Sequence, residues 1–215
     1  MNTQTRRERE REDTRNKILD AARELFAEKG YDAVTMRSIA EKIDYTPTAI
    51  YFHFADKETL IREICDHDFL AFARELAPGM AISDPLERLA AVGQLYVGFA
   101  LRHPHHYRLM FMSGHPAKGN PEQSALRQGD PTQDAYAFLR QCVQEALASG
   151  ALREEFEDAD LAAQTLWAGL HGVISLYLTM GQDTWIAWAG LPRAAQAMED
   201  AIMRGLCKPG GRGRG

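Results

Sequence analysis

The sequence predicts an all-α protein of about nine helices. Apolar residues recur at helical spacing along almost the whole chain, without the sustained alternation that marks a strand. With 215 residues, 45% hydrophobic and 26% charged, the chain is long enough to bury a core. No apolar run reaches the roughly 18 to 20 residues of a membrane span, and the start lacks the apolar segment of a secretory signal. We therefore expect a cytoplasmic protein with no membrane partner.

Both ends of the chain are predicted to be flexible tails. Residues 1–12 alternate Arg and Glu without a hydrophobe, and residues 208–215 are mostly Gly, Arg and Pro. The first helix is predicted from about Asp13 to Lys29, and Gly30 stands where a left-handed cap is wanted.

Capping residues predict where the next helices begin. The side chains of Thr and Asp accept hydrogen bonds from first-turn amides, and proline is tolerated at the first helical position. The signals are Thr35, Thr46 with Pro47, Asp56, and Asp84 with Pro85. They predict short helices at 36–43 and from 47, and longer ones at 57–76 and 85–102. Apolar spacing predicts further helices at about 104–113, 131–149, 158–180 and 192–206. The break at Pro78 and Gly79 predicts two domains, 13–73 and 74–207.

Residues 35–54, TMRSIAEKIDYTPTAIYFHF, have the length and punctuation of a helix-turn-helix. The second helix presents compact residues that fit a major groove, namely Thr46, Pro47, Thr48 and Ala49. Residue types that contact phosphate surround it, namely Thr35, Arg37, Tyr51, His53 and Lys57. Its buried partners are predicted to be Ile50, Phe52 and Phe54. The net charge of −5 does not announce a DNA-binding protein, so this hypothesis depends on the motif.

Three motifs resemble the TetR family of bacterial transcription regulators. They are R-x-x-IL-x-AA-x-x-LF-x-E-x-GY over 15–31, T-x-x-x-IA over 35–40, and IYFHFADKETL over 50–60. Asp44 stands where the family usually has a turn glycine, and Asp tolerates the left-handed conformation better than most residues. Tyr45 replaces a usual small aliphatic residue.

The resemblance implies a homodimeric repressor on double-stranded DNA with a palindromic operator. Each subunit would place the helix from Thr46 to Phe52 in a major groove, with half-sites about 34 to 36 Å apart. Phosphate contacts are implied for Thr35, Tyr51, His53 and Lys57, and base contacts for the region from Thr46 to Thr48. A small-molecule effector would bind in the C-terminal bundle.

Residues 161–178 are apolar on nearly every side, which predicts a helix buried between layers or against a partner. A membrane helix is the less favoured alternative, because Gln164, Thr165 and His171 interrupt the segment. Together with the apolar stripe of the last helix, it predicts a four-helix dimer interface. The predicted interface residues are Leu166, Leu170, Ile174, Tyr177, Ala194, Met198, Ala201 and Ile202.

Trp167 and His171 are four residues apart and share one helix face. The string W-x-x-x-HG, with YRLMF at 107–111, resembles one TetR C-terminal class. It predicts an apolar effector site with one polar group, lined by Tyr107, Met110, Phe111, Trp167 and His171. The alternative is that His171 is a core histidine bonded to a neighbouring carbonyl.

Other chemistry is less favoured by the sequence. Four histidines crowd one stretch, at 103, 105, 106 and 115, but H-x-HH matches no metal-ligand spacing, so no metal or cofactor is predicted. A metal or haem sensor remains one alternative, and a helical dimeric interaction protein another. No catalytic motif stands out, so an enzyme is not expected. The three cysteines are predicted to be reduced core thiols.

Overall fold

A computed structural model describes residues 3–113, 124 and 126–208. Within these residues the protein is all-α, with nine α-helices and no strand beyond an isolated bridge between Leu152 and Cys207. Two 3-10 turns, Ala77–Ala81 and Glu154–Phe156, follow the fourth and seventh helices. The helices are α1 Thr3–Lys29, α2 Met36–Lys42, α3 Pro47–His53, α4 Lys57–Leu76, α5 Pro85–Arg102, α6 Pro104–Phe111, α7 Ala135–Ala148, α8 Ala159–Met180 and α9 Leu191–Leu206.

The predicted caps are confirmed, which is why α2 to α5 begin where the sequence indicates. Thr35 Oγ1 accepts from the amide of Ser38 at 3.0 Å, and Thr46 Oγ1 accepts from Ala49 at 3.3 Å. Asp56 accepts from the amide of Thr59 at 2.6 Å. Asp84 accepts from the amides of Leu86 and Glu87, both at 2.9 Å. Each cap satisfies amides that a helix start leaves without an intrahelical partner.

The prediction of a flexible tail at residues 1–12 is wrong, because α1 begins at Thr3. Arg and Glu are good helix formers, and oppositely charged side chains four residues apart stabilise a helix even without an apolar face. Arg6 and Glu10 form such a pair at 2.8 Å. At the other end, the predicted tail lies outside the described residues after Lys208.

The chain forms two compact units. The first contains the described residues up to Asp68 together with those from His105 to Ser124. The sequence places the domain boundary near residue 73 and does not predict that the α6 region joins this unit. Two polar contacts join this region to α4: Ser124 Oγ donates to Asp66 at 2.6 Å, and His106 Nδ1 lies 3.2 Å from Asp68. Most of α4 therefore belongs to the first unit, and its end to the second.

The second unit contains residues Phe69–Pro104 and the described residues from Leu126 onward. Here α8 packs against α9 and α7, and α5 packs against α7. Gly169 allows the close approach of α8 and α9, because a Cβ there would overlap Ile202 Cδ1 and lie 3.3 Å from Met198 Cγ. This unit provides the helical layers in which an effector site and a dimer interface are predicted.

The three cysteines are free and buried, as the sequence predicts. Burial raises the pKa of the Cys65 thiol to about 12 and that of Cys142 to about 11. Both thiols are therefore protonated and unreactive at neutral pH.

Candidate nucleic-acid interface and effector site

The turn between α2 and α3 has the backbone geometry that the sequence predicts. Asp44 has φ of 57°, the left-handed conformation expected for it. The amide of Tyr45 then donates to the carbonyl of Ala40 at 2.9 Å, closing the turn. At the start of α2, Thr35 and Ser38 form a reciprocal capping box. These bonds fix the direction in which α3 leaves the turn.

The outward face of α3 is accessible. Thr46, Pro47, Thr48 and Tyr51 are exposed, and Ala49 is half-buried. Ile50 and Phe54 are buried beneath the helix, as predicted. A short helix that exposes compact side chains over a firm apolar base is suited to enter a major groove.

Phe52 is exposed, although the sequence predicts it to be buried with Ile50 and Phe54. Its side chain is 72% exposed. Ile50 and Phe54 are four residues apart and share the inner face of α3, whereas a residue two positions from each lies on the opposite side of a 3.6-residue turn. Arg11 lies over the exposed ring, with its guanidinium carbon 5.4 Å from the centroid. The segment assigned to a tail therefore contributes to the surface around α3.

His53 closes α3 in a partly buried position. Burial lowers its pKa, and the positive charges of Arg11 and Arg15 lower it further. The imidazole is therefore neutral at pH 7 and can offer one N–H donor to a phosphate. Its Nδ1 is buried and makes no hydrogen bond within the part of the chain that the structure describes. The carbonyl of His53 accepts from Arg15 Nη1 at 3.2 Å, which joins the end of α3 to α1.

Lys57 has a structural task beside any contact with DNA. Its ammonium donates to the carbonyls of Tyr31 and Val34 at 2.9 and 3.0 Å and lies 4.0 Å from the Tyr31 ring centroid. These contacts fix the segment that leads to Thr35. Of the other residues assigned to phosphate, Arg37 is exposed and pairs with Glu41 at 2.9 Å.

In the second unit, an aromatic cluster with neutral hydrogen bonds surrounds two of the predicted effector residues. Trp167 Nε1 donates to the Tyr96 hydroxyl at 3.0 Å, and that hydroxyl lies 3.4 Å from His171 Nδ1. Phe72 packs on Tyr96 and Phe99, with centroid separations of 5.7 and 4.8 Å. Burial lowers the pKa of His171, so its imidazole is neutral at pH 7. The cluster combines aromatic surface with neutral polar groups, the residue types that line apolar ligand sites.

The other predicted effector residues belong to the first unit. Tyr107 is fully buried there, and its ring lies 4.9 Å from that of Phe111. Met110 is also buried. No unit therefore contains all five predicted residues. Sequence reasoning missed Tyr96 and Phe72. They precede Trp167 by 71 and 95 positions, and contacts over such separations leave no local pattern in the sequence.

The predicted dimer residues fall into two groups. Leu166, Leu170 and Ile174 are buried inside the protomer, so their assignment to an interface is wrong. Because α8 is apolar on nearly every side, its pattern cannot distinguish the face that packs internally from the face left exposed. Ala201 is exposed, and four predicted residues are partly exposed, namely Tyr177, Ala194, Met198 and Ile202.

Apolar side chains also remain exposed on α8, namely Leu161, Trp167, Leu176 and Met180. By length and composition alone, α8 is one helix among the described residues that could cross a membrane, with 28% of its most apolar stretch buried. It packs against α7 and α9 in the second unit.

These features define a helix-turn-helix DNA-binding protein with a helical bundle in its second unit. Residues 18–64 match the family model described as bacterial regulatory proteins, tetR family. Residues 89–191 match the tetracyclin repressor-like C-terminal domain. Over 185 residues the chain is 30% identical to the HTH-type transcriptional repressor AcnR of Corynebacterium jeikeium, an alignment that covers 86% of this chain and 89% of the relative. The chain belongs to the TetR family and is a DNA-binding transcriptional regulator.

One further relative matches part of the chain, and two solved structures share its fold. The HTH-type transcriptional regulator UidR of Escherichia coli is 38% identical over 78 residues, which cover 35% of this chain and 40% of that protein. SmeT, the repressor of the Stenotrophomonas maltophilia multidrug efflux pump SmeDEF, has the same fold, with a TM-score of 0.65 at 22% identity and 92% coverage of both chains. FadR of Bacillus halodurans superposes with a TM-score of 0.70 at 17% identity, covering 88% of this chain and 94% of the other. Family membership supports the expectation that the chain is not an enzyme, while the W-x-x-x-HG class stays a prediction.

Proposed function

We propose that this protein is a homodimeric cytoplasmic repressor that binds a palindromic operator and is released by a small, mostly apolar effector. The observation that carries the proposal is the accessible outward face of α3, fixed by the Thr35 and Thr46 caps and the Asp44 turn. A recognition helix must be rigid and protrude from its support to contact base edges.

The residues of this face fall into two groups, one that contacts bases and one that contacts phosphates. Thr46, Pro47, Thr48 and Ala49 are compact and stand in the first turn of α3, where they can contact base edges. The exposed Tyr51 hydroxyl and neutral His53 follow at the end of the helix and serve phosphates, as do Thr35 and Arg37 from α2. Lys57 supports the binding surface by fixing the segment before Thr35, and its third N–H donor is available to a phosphate.

Dimerisation would place two α3 helices on successive turns of one face of the DNA. The exposed apolar residues of α8 and the neighbouring surface of α9 supply the interface, because a soluble monomer rarely leaves such a patch uncovered. Leu161, Leu176 and Met180 contribute from α8, and Ala201 contributes from α9.

The effector would bind beside the cluster of Tyr96, Trp167 and His171. The three side chains present aromatic surface with hydroxyl, indole and neutral imidazole groups, a combination that favours an apolar molecule bearing one polar group. SmeT, which shares the fold, has been solved as a complex with triclosan. Since α4 contributes residues to both units, it is the element through which effector binding would alter the separation of the recognition helices.

The first experiment selects genomic DNA fragments with the purified protein at moderate salt, followed by sequencing. We expect an enriched palindrome that a Tyr51→Ala variant does not retain, because the exposed phenol contacts the phosphate backbone. A Leu101→Ala variant on α5, where Leu101 is 43% exposed, serves as the control and is expected to retain the same fragments. Equal enrichment by the Tyr51→Ala variant would contradict the assigned surface.

The second experiment follows operator release. Compounds that release the protein from the selected operator are tested on Trp167→Phe and His171→Gln variants. Both variants are expected to bind the operator normally and to need more compound for release. Unchanged release in both variants would place the effector elsewhere.

A further inference from the structure

Each of the three described histidines in the H-x-HH segment meets a different acidic partner. His103 Nε2 lies 2.9 Å from Glu75, and His106 Nδ1 lies 3.2 Å from Asp68. His105 lies instead beside two glutamates of α1, Glu24 and Glu28. The remaining histidine of the cluster, at position 115, lies outside the described residues. The sequence shows the histidines but cannot show which carboxylates the fold brings to them.

The group formed by Glu24, Glu28 and His105 has the geometry of a metal site. The two glutamates are one helical turn apart on α1, and the histidine comes from α6. One ligand atom from each residue lies within 4.8 Å of the other two. In a tetrahedral site with metal–ligand bonds of about 2.0 to 2.2 Å, the ligand atoms are roughly 3.4 Å apart. Rotation of the two glutamate side chains can close that difference.

His105 and Glu28 supply two features that favour a cation at this position. His105 Nδ1 is buried and makes no hydrogen bond within the described part of the chain, although buried polar atoms normally have a partner. Lys42 Nζ already pairs with Glu24 Oε2 at 2.9 Å, so a bound ion would use the other carboxylate oxygen of Glu24 or displace the ammonium. Glu28 is exposed, so an ion can reach the group from solvent.

We propose that Glu24, Glu28 and His105 bind a divalent transition-metal ion that links α6 to α1. Imidazole nitrogen combined with carboxylate oxygen suits Zn²⁺ and related first-row ions, whereas Mg²⁺ and Ca²⁺ prefer oxygen ligands alone. Three protein ligands leave a fourth position for water. The site lies within the first unit and shares no residue with the effector cluster around Tyr96.

Binding would fix the start of α6 against the helix that packs behind the DNA-binding motif. An ion that binds only the folded arrangement stabilises that arrangement. The metal would thus be a second input to the regulator, separate from the effector.

The test titrates Zn²⁺ into the chelator-treated full chain by calorimetry, and Co²⁺ is followed by its visible absorption. We expect one ion per chain. His105→Gln and Glu28→Gln should each weaken binding by about 100-fold or more, since each removes a direct ligand and loss of a supporting contact alone costs about 10- to 100-fold. His103→Gln and Glu12→Gln are the matched controls and should bind as the unmodified chain does.

Two results would overturn the proposal. One is the absence of saturable binding by the unmodified chain. The other is a Glu28→Gln variant that binds the metal ion with the same affinity as the unmodified chain. Residue 28 is exposed, so this substitution is not expected to disturb folding. Neither result depends on whether the chain binds an operator.

Discussion

Asp68 concentrates charge at a buried position in the first unit. Its side chain is fully buried, and Arg23 donates to it from Nε and Nη2 at 2.8 Å. Burial alone would raise the pKa of Asp68, but hydrogen bonds from His106, His67 and Arg23 and the charge of Arg23 outweigh it, so the pKa lies well below its usual range. One carboxylate thereby joins α1, α4 and α6.

Replacing Asp68 with Asn should lower the free energy of unfolding by about 3 to 5 kcal/mol, because it leaves the Arg23 guanidinium without its buried charge partner. Urea denaturation measures the change. Asp20→Asn is the matched control, since Asp20 pairs with the same arginine at 2.6 Å from an exposed position, and its loss should cost at most about 1 kcal/mol. Similar losses in the two variants would argue against a special role for the buried pair.

His171 should make the protein sensitive to mild acid. Burial places its folded-state pKa below the unfolded value, so the unfolded chain takes up the proton first. Stability that is complete above about pH 6.5 is then lost as the pH falls toward the folded-state pKa. Urea denaturation at about pH 7.5 and about pH 5.5 should show a smaller loss for His171→Gln than for the unmodified chain. Equal losses would assign the acid sensitivity to other groups.

At the scale of elements, the helix starts were predictable from local sequence, whereas the face that each helix turns toward its neighbours was not. Thr35, Thr46 and Asp56 mark helix starts by bonds to their own first turns, so the sequence alone locates them. The left-handed conformation of Asp44 was predictable because the resembling family usually has a turn glycine there and Asp tolerates that conformation. The burial of Leu166 and the exposure of Phe52 depend on which face each helix turns toward its neighbours, and that is decided by tertiary packing. The metal-ligand group likewise joins residues about 80 positions apart, beyond the reach of any local pattern.

The pair α8 and α9 should be sensitive to a single methyl group. Gly169→Ala would place a Cβ against Ile202 Cδ1, and we expect overpacking of about 1 to 3 kcal/mol to exceed the gain of about 1 kcal/mol in helix propensity. Ile202→Val removes the overlapping atom, so the double variant should be more stable than the sum of the single changes predicts. Thermal and urea unfolding measure these differences.

Gly172→Ala is the matched control on α8, because an added Cβ there meets no described atom within 4 Å. This variant should be at least as stable as the unmodified chain. If Gly169→Ala behaved in the same way, close approach of the two helices would not be the reason for glycine at position 169.

For the whole molecule, dimerisation would depend on the exposed face of α8. Leu176 is 50% exposed on that helix, and Leu176→Arg would place a charge in the proposed interface. We expect sedimentation to show a monomer and operator affinity to fall by about 100-fold or more, because each half-site would then be bound without the help of the other. Leu101→Arg is the control, since Leu101 is 43% exposed on α5. A dimeric Leu176→Arg variant would exclude this face.

The course of α4 and α6 limits how this kind of regulator can be recombined. The first unit takes residues from two stretches of the chain, and the boundary at Asp68 falls inside a continuous helix. A chimera made with one crossover after α4 would combine one parent's Asp68 and Glu24 with the other parent's α6 histidines. Functional exchange of a DNA-binding half between relatives therefore needs two crossovers, so that the segment around His105 and His106 travels with the helices it contacts.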